Sequence, residues 1–402
     1  MNNITIIGGG SASLFFASFL DERLFNINIY EQKKSGLGRK FLVAGDGGFN
    51  LTHSENNADF IARYAPQYFL EDAIQSFNNQ QLIDWLYQIG IPTFIGTSKR
   101  VYPEKGIKPI AVLNAIKNVL DRKKTKSNFN KTFTGWDQNN NPIFNNDEIV
   151  KTDYCVFALG GGSWEITGSN GEWLDTFTKK GIKTTNFQPS NCAFNINWDI
   201  PFITKNEGLP LKNIAITCDG KTQKGEVVIT KFGIEGNAIY ALSPQIRSQL
   251  DANKKSEISL DLKPTMTENK ILSELTNRSS NITTTLKKSL KLSLVQIQLL
   301  KSIVSKTNFT NPNELAKHIK HLTITINNSA PVDEAISTVG GVNLSEVNPY
   351  FELKKIPNHF CIGEMLNWDA PTGGYLLQGC ASMGAYLADY LNKKQLKWNK
   401  EN

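Results

Sequence analysis

The sequence predicts an α/β domain built on a parallel sheet, with both chain ends contributing and a large insertion between them. Three observations carry this. An apolar run, Ile4 to Ile7, ends in Gly8-Gly9-Gly10; a helical segment from Ser11 to about Leu20 follows, then a second strand-like run ending at Glu31. Tyr154 to Leu159 reads as a buried strand that stops at Gly160-Gly161-Gly162. His359 to Ile362 stops at Gly363-Glu364 and precedes a long amphipathic segment. Strand, glycine turn, helix, strand, acid is the opening of a Rossmann-type unit.

At 402 residues, 40% of them hydrophobic and 20% charged, the chain can bury a sizeable core and is long enough for two or three domains, or for one domain with a large insertion. No basic leader or cleavage site precedes Ile4, and no 18 apolar residues run together, so a cytoplasmic protein without a membrane partner is expected. The cysteines, Cys155, Cys192, Cys218, Cys361 and Cys380, are widely spaced with no CxxC, which excludes a dithiol redox centre or a zinc ribbon. Lysine and arginine cluster in residues 99–126 and 254–320, each with a local net charge of +7 against +7 for the whole chain. Two basic zones on an otherwise acidic body could attract a polyanion; two solvated helical faces are the alternative.

The glycine-rich stretch Gly36 to His53 is expected to be a loop lying on a ligand. Residues 58–90 and 107–124 read as helical, and residues 128–150 as a small hairpin layer. After Pro189 short alternating strands take over to residue 262, and a polar, basic helical stretch fills 263–320. Strand character returns at 322–342, and the final helix spans about Gly374 to Leu391. The expected architecture is a Rossmann-like nucleotide domain from 1–189 and 336–402. Into it are inserted a β-barrel-like domain (190–262 and 321–335) and a helical cap (263–320).

The chemistry starts at the first turn. Gly8 makes it, Gly10 lets a pyrophosphate approach the backbone, Ser11 opens the helix, and small Ser13 allows close packing of helix on strand. Glu31, 23 residues after Gly8, is placed to accept ribose hydroxyls. The chain has no second GxGxxG after a strand, and its further glycine clusters end distant strands. That pattern favours tightly held FAD over a released nicotinamide. Gly373-Gly374, opening the last helix, suits the negative charge of reduced flavin.

Four blocks occur together and in order: Gly38-Arg39-Lys40-Phe41-Leu42, Gly48-Phe49-Asn50-Leu51-Thr52-His53, Thr338-Val339-Gly340-Gly341-Val342, and Gly363-Glu364 with Thr372 to Gln378. With them the chain resembles the YhiN/BaiN-type (BaiN/RdsA) family of bacterial NAD(P)/FAD-dependent oxidoreductases along essentially its whole length. The resemblance implies FAD, reduced by NADH or NADPH, that then reduces an activated C=C bond. It implies as acceptor a small enone, or a uridine of large-subunit rRNA that becomes dihydrouridine. The chain departs from the family at Asn367, often Asp, and at Glu235-Gly236-Asn237, where many members have Ser-Gly-Pro.

Expected cofactor contacts are Gly8, Gly10, Ser11, Ser13, Glu31, Gln32, Gly38, Arg39, Lys40, Asn50, Leu51, Thr52, Gly160, Gly161, Gly363, Glu364, Gly373, Gly374, Tyr375 and Leu376. Such a reduction also needs a donor for the acceptor oxygen and an acid for the α-carbon. The candidate acids are His53, Tyr375, Lys40 and Cys380. The competing readings are a loop histidine bonded to backbone for His53 and a core thiol for Cys380. Arg100 reads as a residue reaching substrate or as a solvated arginine. No metal site is expected: His318 and His321 are spaced i, i+3 in a basic segment. The basic zones favour rRNA as partner, but the 254–320 segment has only Phe309 for base stacking. A non-catalytic flavin-binding module is the reading from another class.

Overall fold

The computed structural model describes residues 1–43 and 49–401. They form two compact units, one from residues 1–189 and 332–402, the other from residues 190–331.

The first unit is built on Asn2–Ile7 (β1), Ser11–Phe19 (α1), Phe25–Glu31 (β2), Thr52–His53 (β3), Thr93–Ile95 (β4), Arg100–Pro103 (β5), Pro109–Arg122 (α2), Lys126–Phe129 (β6), Tyr154–Phe157 (β7), His359–Cys361 (β8) and Tyr375–Glu401 (α3). Its main sheet has the order β8-β7-β1-β2-β6. Every pair is parallel, with Ile4 opposite both Tyr154 and Ile27, and Cys155 opposite His359. Parallel strands are covered on both faces, so β7 is apolar and buried throughout, and Ile4, Ile6 and Ile7 of β1 are buried too. The glycine turns after β1, β7 and β8 therefore share the carboxyl edge of one sheet.

Helix α1 is buried along Ala12 to Ser18, and Phe15 and Phe19 pack on Trp85. Helix α3 crosses it at Gly384, where a Cβ would stand 2.7 Å from the Phe16 nitrogen. Only glycine permits that approach. It ties the last helix of the chain to the first. Helix α3 runs ten residues beyond the expected end at Leu391, because Asn392 to Glu401 contains no helix breaker and Gln395 is still buried. The stretch expected to be wholly loop, Gly36 to His53, holds a short helix, Arg39–Val43. That segment is free of glycine, and Phe41 anchors it in the core against Phe49. Strands β3, β5 and β4 form a small antiparallel sheet in which His53 faces Arg100 across the ladder. The hairpin layer is a three-stranded meander over 133–149.

The second unit is a seven-stranded sheet, antiparallel throughout, in the order 322–326, 256–261, 210–218, 221–230, 233–235, 194–195, 328–329. Its two edges are consecutive stretches of chain joined at Asn327, whose N–H reaches the Asn195 carbonyl. One run of chain thus borders both sides of the sheet and bends it round. Five helices between Glu268 and Lys320 turn Ile271, Leu275, Leu299, Leu300, Leu315 and Ile319 inward.

No helix among the described residues is long and apolar enough to cross a membrane. All five cysteines are free and buried. A groove of about 540 Å³ lined by Asn2, Asp153, Tyr154 and Lys394 lies at the amino end of β1, opposite the glycine turns.

Candidate functional site

The first turn has the geometry its residues require. Gly8 has φ +99°, and a Cβ there would overlap the Ala158 carbonyl of the strand end beside it. Gly10 is extended and caps α1 without a side chain; no acid occupies the first turn of the helix. A Cβ on Gly10 would meet nothing, so the free N–H groups of α1 face open space. Ser11 begins α1 and is partly exposed. Ser13 is fully buried and donates to the Gly8 carbonyl, closing the turn. Glu31 accepts N–H bonds from Gly9 at 2.7 Å and Lys33 at 2.8 Å, and a carboxylate retains further acceptor sites for hydroxyls. Gln32 is turned elsewhere: its amide donates to the Gly168 carbonyl. Gly38 donates to the Gly9 carbonyl at 2.8 Å, so the next block folds back onto the turn.

Lys40 bridges the turns after β7 and β8. Its ammonium lies 3.0 Å from Glu364 and 2.8 Å from the Ser163 hydroxyl. The other Glu364 oxygen accepts the Thr338 N–H at 2.9 Å, and Thr338 accepts the Gly162 N–H at 3.1 Å. Gly161 is packed so closely that a Cβ would overlap the Thr338 hydroxyl; Gly160, at φ +75°, lies over Ser169. Glu364 thus braces the site from a buried position. Arg39 is bonded to Ser35.

The third part lies at the head of α3. Gly373 (φ +116°) and Gly374 (φ +94°) make a turn that seats on β3: a Cβ on Gly374 would stand 2.6 Å from the Thr52 Cα. Thr52 donates to Gln378 at 2.8 Å. The Tyr375 ring stacks on His53 at 5.4 Å, and its hydroxyl donates to Glu55 at 2.6 Å. Arg63 holds the same carboxylate with two bonds, 3.1 and 2.9 Å. The Glu55 N–H reaches His53 Nδ1 at 3.3 Å, which puts the proton of the neutral ring on Nε2. Asn79 clamps the loop through the His53 and Glu55 carbonyls.

These contacts sort the candidate acids. Tyr375 is buried and donates to a carboxylate, and both effects raise its pKa far above that of free tyrosine. Burial pushes the Cys380 thiol up to about 12, beneath Gly363 and Glu364 in the core. Lys40 is committed to Glu364 and Ser163. Burial lowers the proton affinity of His53, against the opposing influence of the Glu55 charge and the Ser98 backbone. Leu51 is buried and its side chain faces the core, while Leu376 is partly exposed beside the turn. Gly48 of the second block lies outside the described residues.

Glu55, Arg63, Thr338 and Gln378 are the bracing residues that motif reading left unassigned to the site. Gln378, one turn after Gly374, was within reach of spacing; the Arg63–Glu55–Tyr375 chain is visible only in three dimensions. Burial raises the Glu55 pKa, but the bonds from Arg63 and Tyr375 outweigh it and hold it below the ordinary 4.5. Glu55 therefore adds stability at neutral pH that is lost as pH falls through its folded pKa. Glu55→Gln should cost about 1 kcal/mol at pH 7, since Arg63 is half exposed, and flatten the acid limb below about pH 5. Thermal melts of both proteins from pH 3 to 8 measure this.

The residues present fit a dinucleotide. Gly10 opens a cradle that a side chain would fill, and the buried Asn50 amide nitrogen has no partner among the described residues. A glycine turn between β1 and an uncapped helix, with an acid at the end of β2, defines a nucleotide-binding α/β protein of Rossmann type. The chain belongs to the HI0933-like family, whose Rossmann-domain model matches residues 2–390. It is 24% identical to the 3-dehydro-bile acid delta(4,6)-reductase of Clostridium scindens, over 96% of this chain and 98% of the relative. Similar solved structures include the 3-ketosteroid delta1-dehydrogenase of Sterolibacterium denitrificans (TM-score 0.49, 10% identity, 98% of this chain and 100% of that one). A flavocytochrome c3 fumarate reductase is another (TM-score 0.46, 14% identity, 98% and 78%).

Proposed function

We propose that the chain is an FAD-dependent oxidoreductase, reduced by NADH or NADPH, that reduces an activated C=C bond in a small enone. The observation that carries this is the convergence, on one unit, of a dinucleotide turn with the Lys40–Glu364 brace and the Gly373-Gly374 helix head. The Clostridium scindens relative, named as a reductase of a 3-dehydro-bile acid, supports the same chemistry.

Bound FAD would supply the hydride that goes to the β-carbon of the acceptor. The N–H groups at the head of α1 would hold its pyrophosphate and Glu31 its ribose. Asn50 would give its spare N–H to the same group. Lys40, fixed by Glu364 and Ser163, would keep the 38–43 segment closed on it. Proton delivery falls to His53, because Tyr375, Cys380 and Lys40 are committed or hold their protons too tightly.

A small acceptor is favoured over rRNA by the basic helices. In residues 254–320 Lys320 pairs with Asp261 at 2.6 Å and Lys317 with Glu314 at 3.0 Å, and Lys301 sits over Phe309, the segment's one aromatic. That leaves no stacking platform for bases.

The test is anaerobic. The purified protein should show a flavin spectrum, bleach with NADPH or NADH, and regain colour with a 3-oxo-4-ene steroid as probe enone. His53→Gln should slow reoxidation about 10²-fold and leave bleaching unchanged. Dihydrouridine formed instead in an unmodified rRNA transcript would make residues 99–126 and 254–320 the RNA surface. A protein without flavin would end the reading.

A further inference from the structure

We propose that Arg100 is the cation that balances the negative charge the cofactor site acquires on reduction. This rests on the FAD reading above. Arg100 lies opposite His53 in the β3–β5 ladder, so both side chains project on one face. That face meets the turn before α3: a Cβ on Gly373 would stand 3.4 Å from Arg100 Nε and 3.4 Å from the Tyr375 ring. The guanidinium therefore lies within van der Waals reach of the turn.

The charges around it are otherwise settled. Arg63 is matched by Glu55 with two bonds, and Lys40 by Glu364. Glu55 takes the Tyr375 hydroxyl as well, and His53 is bonded through Nδ1. Arg100 is only partly exposed, yet its side chain has no hydrogen bond or ion pair among the described residues. A partly buried cation without a partner is better placed beside an anion. Beside it lies the head of α3, itself positive. Guanidinium and helix end point to one anionic ligand, present when the site is reduced.

Transfer of a hydride from NAD(P)H to FAD would add two electrons and one proton, bound at N5, and release NAD(P)+. The one net negative charge gained would rest on the pyrimidine ring at N1 and the neighbouring carbonyl. Sulfite reproduces this without turnover: its sulfur lone pair forms a bond to N5, and the displaced electron pair moves to the same atoms. Arg100 would stabilise both.

The experiment uses purified holoprotein as wild type, Arg100→Gln, Arg100→Met and Arg100→Lys. Sulfite affinity is read from loss of the flavin absorbance, the midpoint potential by equilibration with reference dyes, and FAD affinity by titrating apoprotein. Both neutral variants should bind sulfite about 10-fold more weakly or worse, with a lower potential, while Arg100→Lys stays within about 3-fold of wild type. FAD affinity should change less than sulfite affinity in every variant. Neutral variants with wild-type sulfite affinity and potential would overturn the role of Arg100 and leave FAD binding standing. Wild-type protein without flavin would overturn the FAD reading and this proposal with it.

Discussion

Replacing Gly10 by valine is expected to abolish FAD binding while leaving the apoprotein folded. Gly10 has φ −80° and ψ −174°, a conformation every residue adopts, and an added Cβ meets no protein atom. The change therefore costs the fold under about 1 kcal/mol, the scale of a weakened helix cap. The same side chain would occupy the space in front of the α1 N–H groups, where the proposed pyrophosphate needs backbone contact. Loss of those contacts should weaken FAD at least ~10³-fold, roughly 4 kcal/mol. Gly8→Ala is the control. At φ +99° its methyl overlaps the Ala158 carbonyl, so it should lower the urea midpoint of the apoprotein itself. Urea melts of both apoproteins, beside FAD titration, separate the two glycines. A valine variant that keeps wild-type FAD affinity would remove the nucleotide from this turn.

The second large effect is expected at Glu364. Its carboxylate is 8% exposed and serves Lys40, the Thr338 N–H and the Thr338 hydroxyl at once. Glu364→Ala strands a buried N–H and leaves an ammonium without its counter-ion. Breaking a fully buried pair costs ~3–5 kcal/mol; because Lys40 is 28% exposed, about 2–4 kcal/mol is expected here. Glu364→Gln keeps an acceptor for Thr338 and should recover part of that loss. A urea series on the three proteins, with unchanged slope, reads the ordering. An alanine variant as stable as wild type would show that the brace does not hold the strand ends together.

The two predictions differ in how far the sequence alone could have led to them. The turn at Gly8 to Ser13 is a local device: strand, glycines and helix are contiguous, so spacing exposes it. The same holds for the three strands ending in glycine, because a parallel strand covered on both faces needs an unbroken apolar run. Glu364 was visible as an expected cofactor contact but not as a brace. Its partners are Lys40 and Thr338, 324 and 26 residues away, and no local pattern encodes an ion pair across such distances.

Other side chains are decided in the same way, by partners distant in sequence. Gln32 sits where a cofactor contact was expected, yet Gly168, which captures its amide, is 136 residues away. Cys380 and Tyr375 carry chemistry as residue types, but burial and a carboxylate neighbour fix their protons, and neither effect is written in the segment around them. Arg100 could be read equally as solvated or as reaching substrate until the β3–β5 ladder set it beside His53 and against Gly373.

By itself the sequence determined the Rossmann-type class, the contribution of both chain ends and the place of the glycine turn after β1. Each depends on short-range periodicity and on the backbone freedom of glycine. Only the tertiary structure decided which charges are neutralised, which hydroxyl is already donated and which cation is left over. Those are properties of side chains that meet across the fold, and their proton affinities follow from burial and neighbours rather than from residue type.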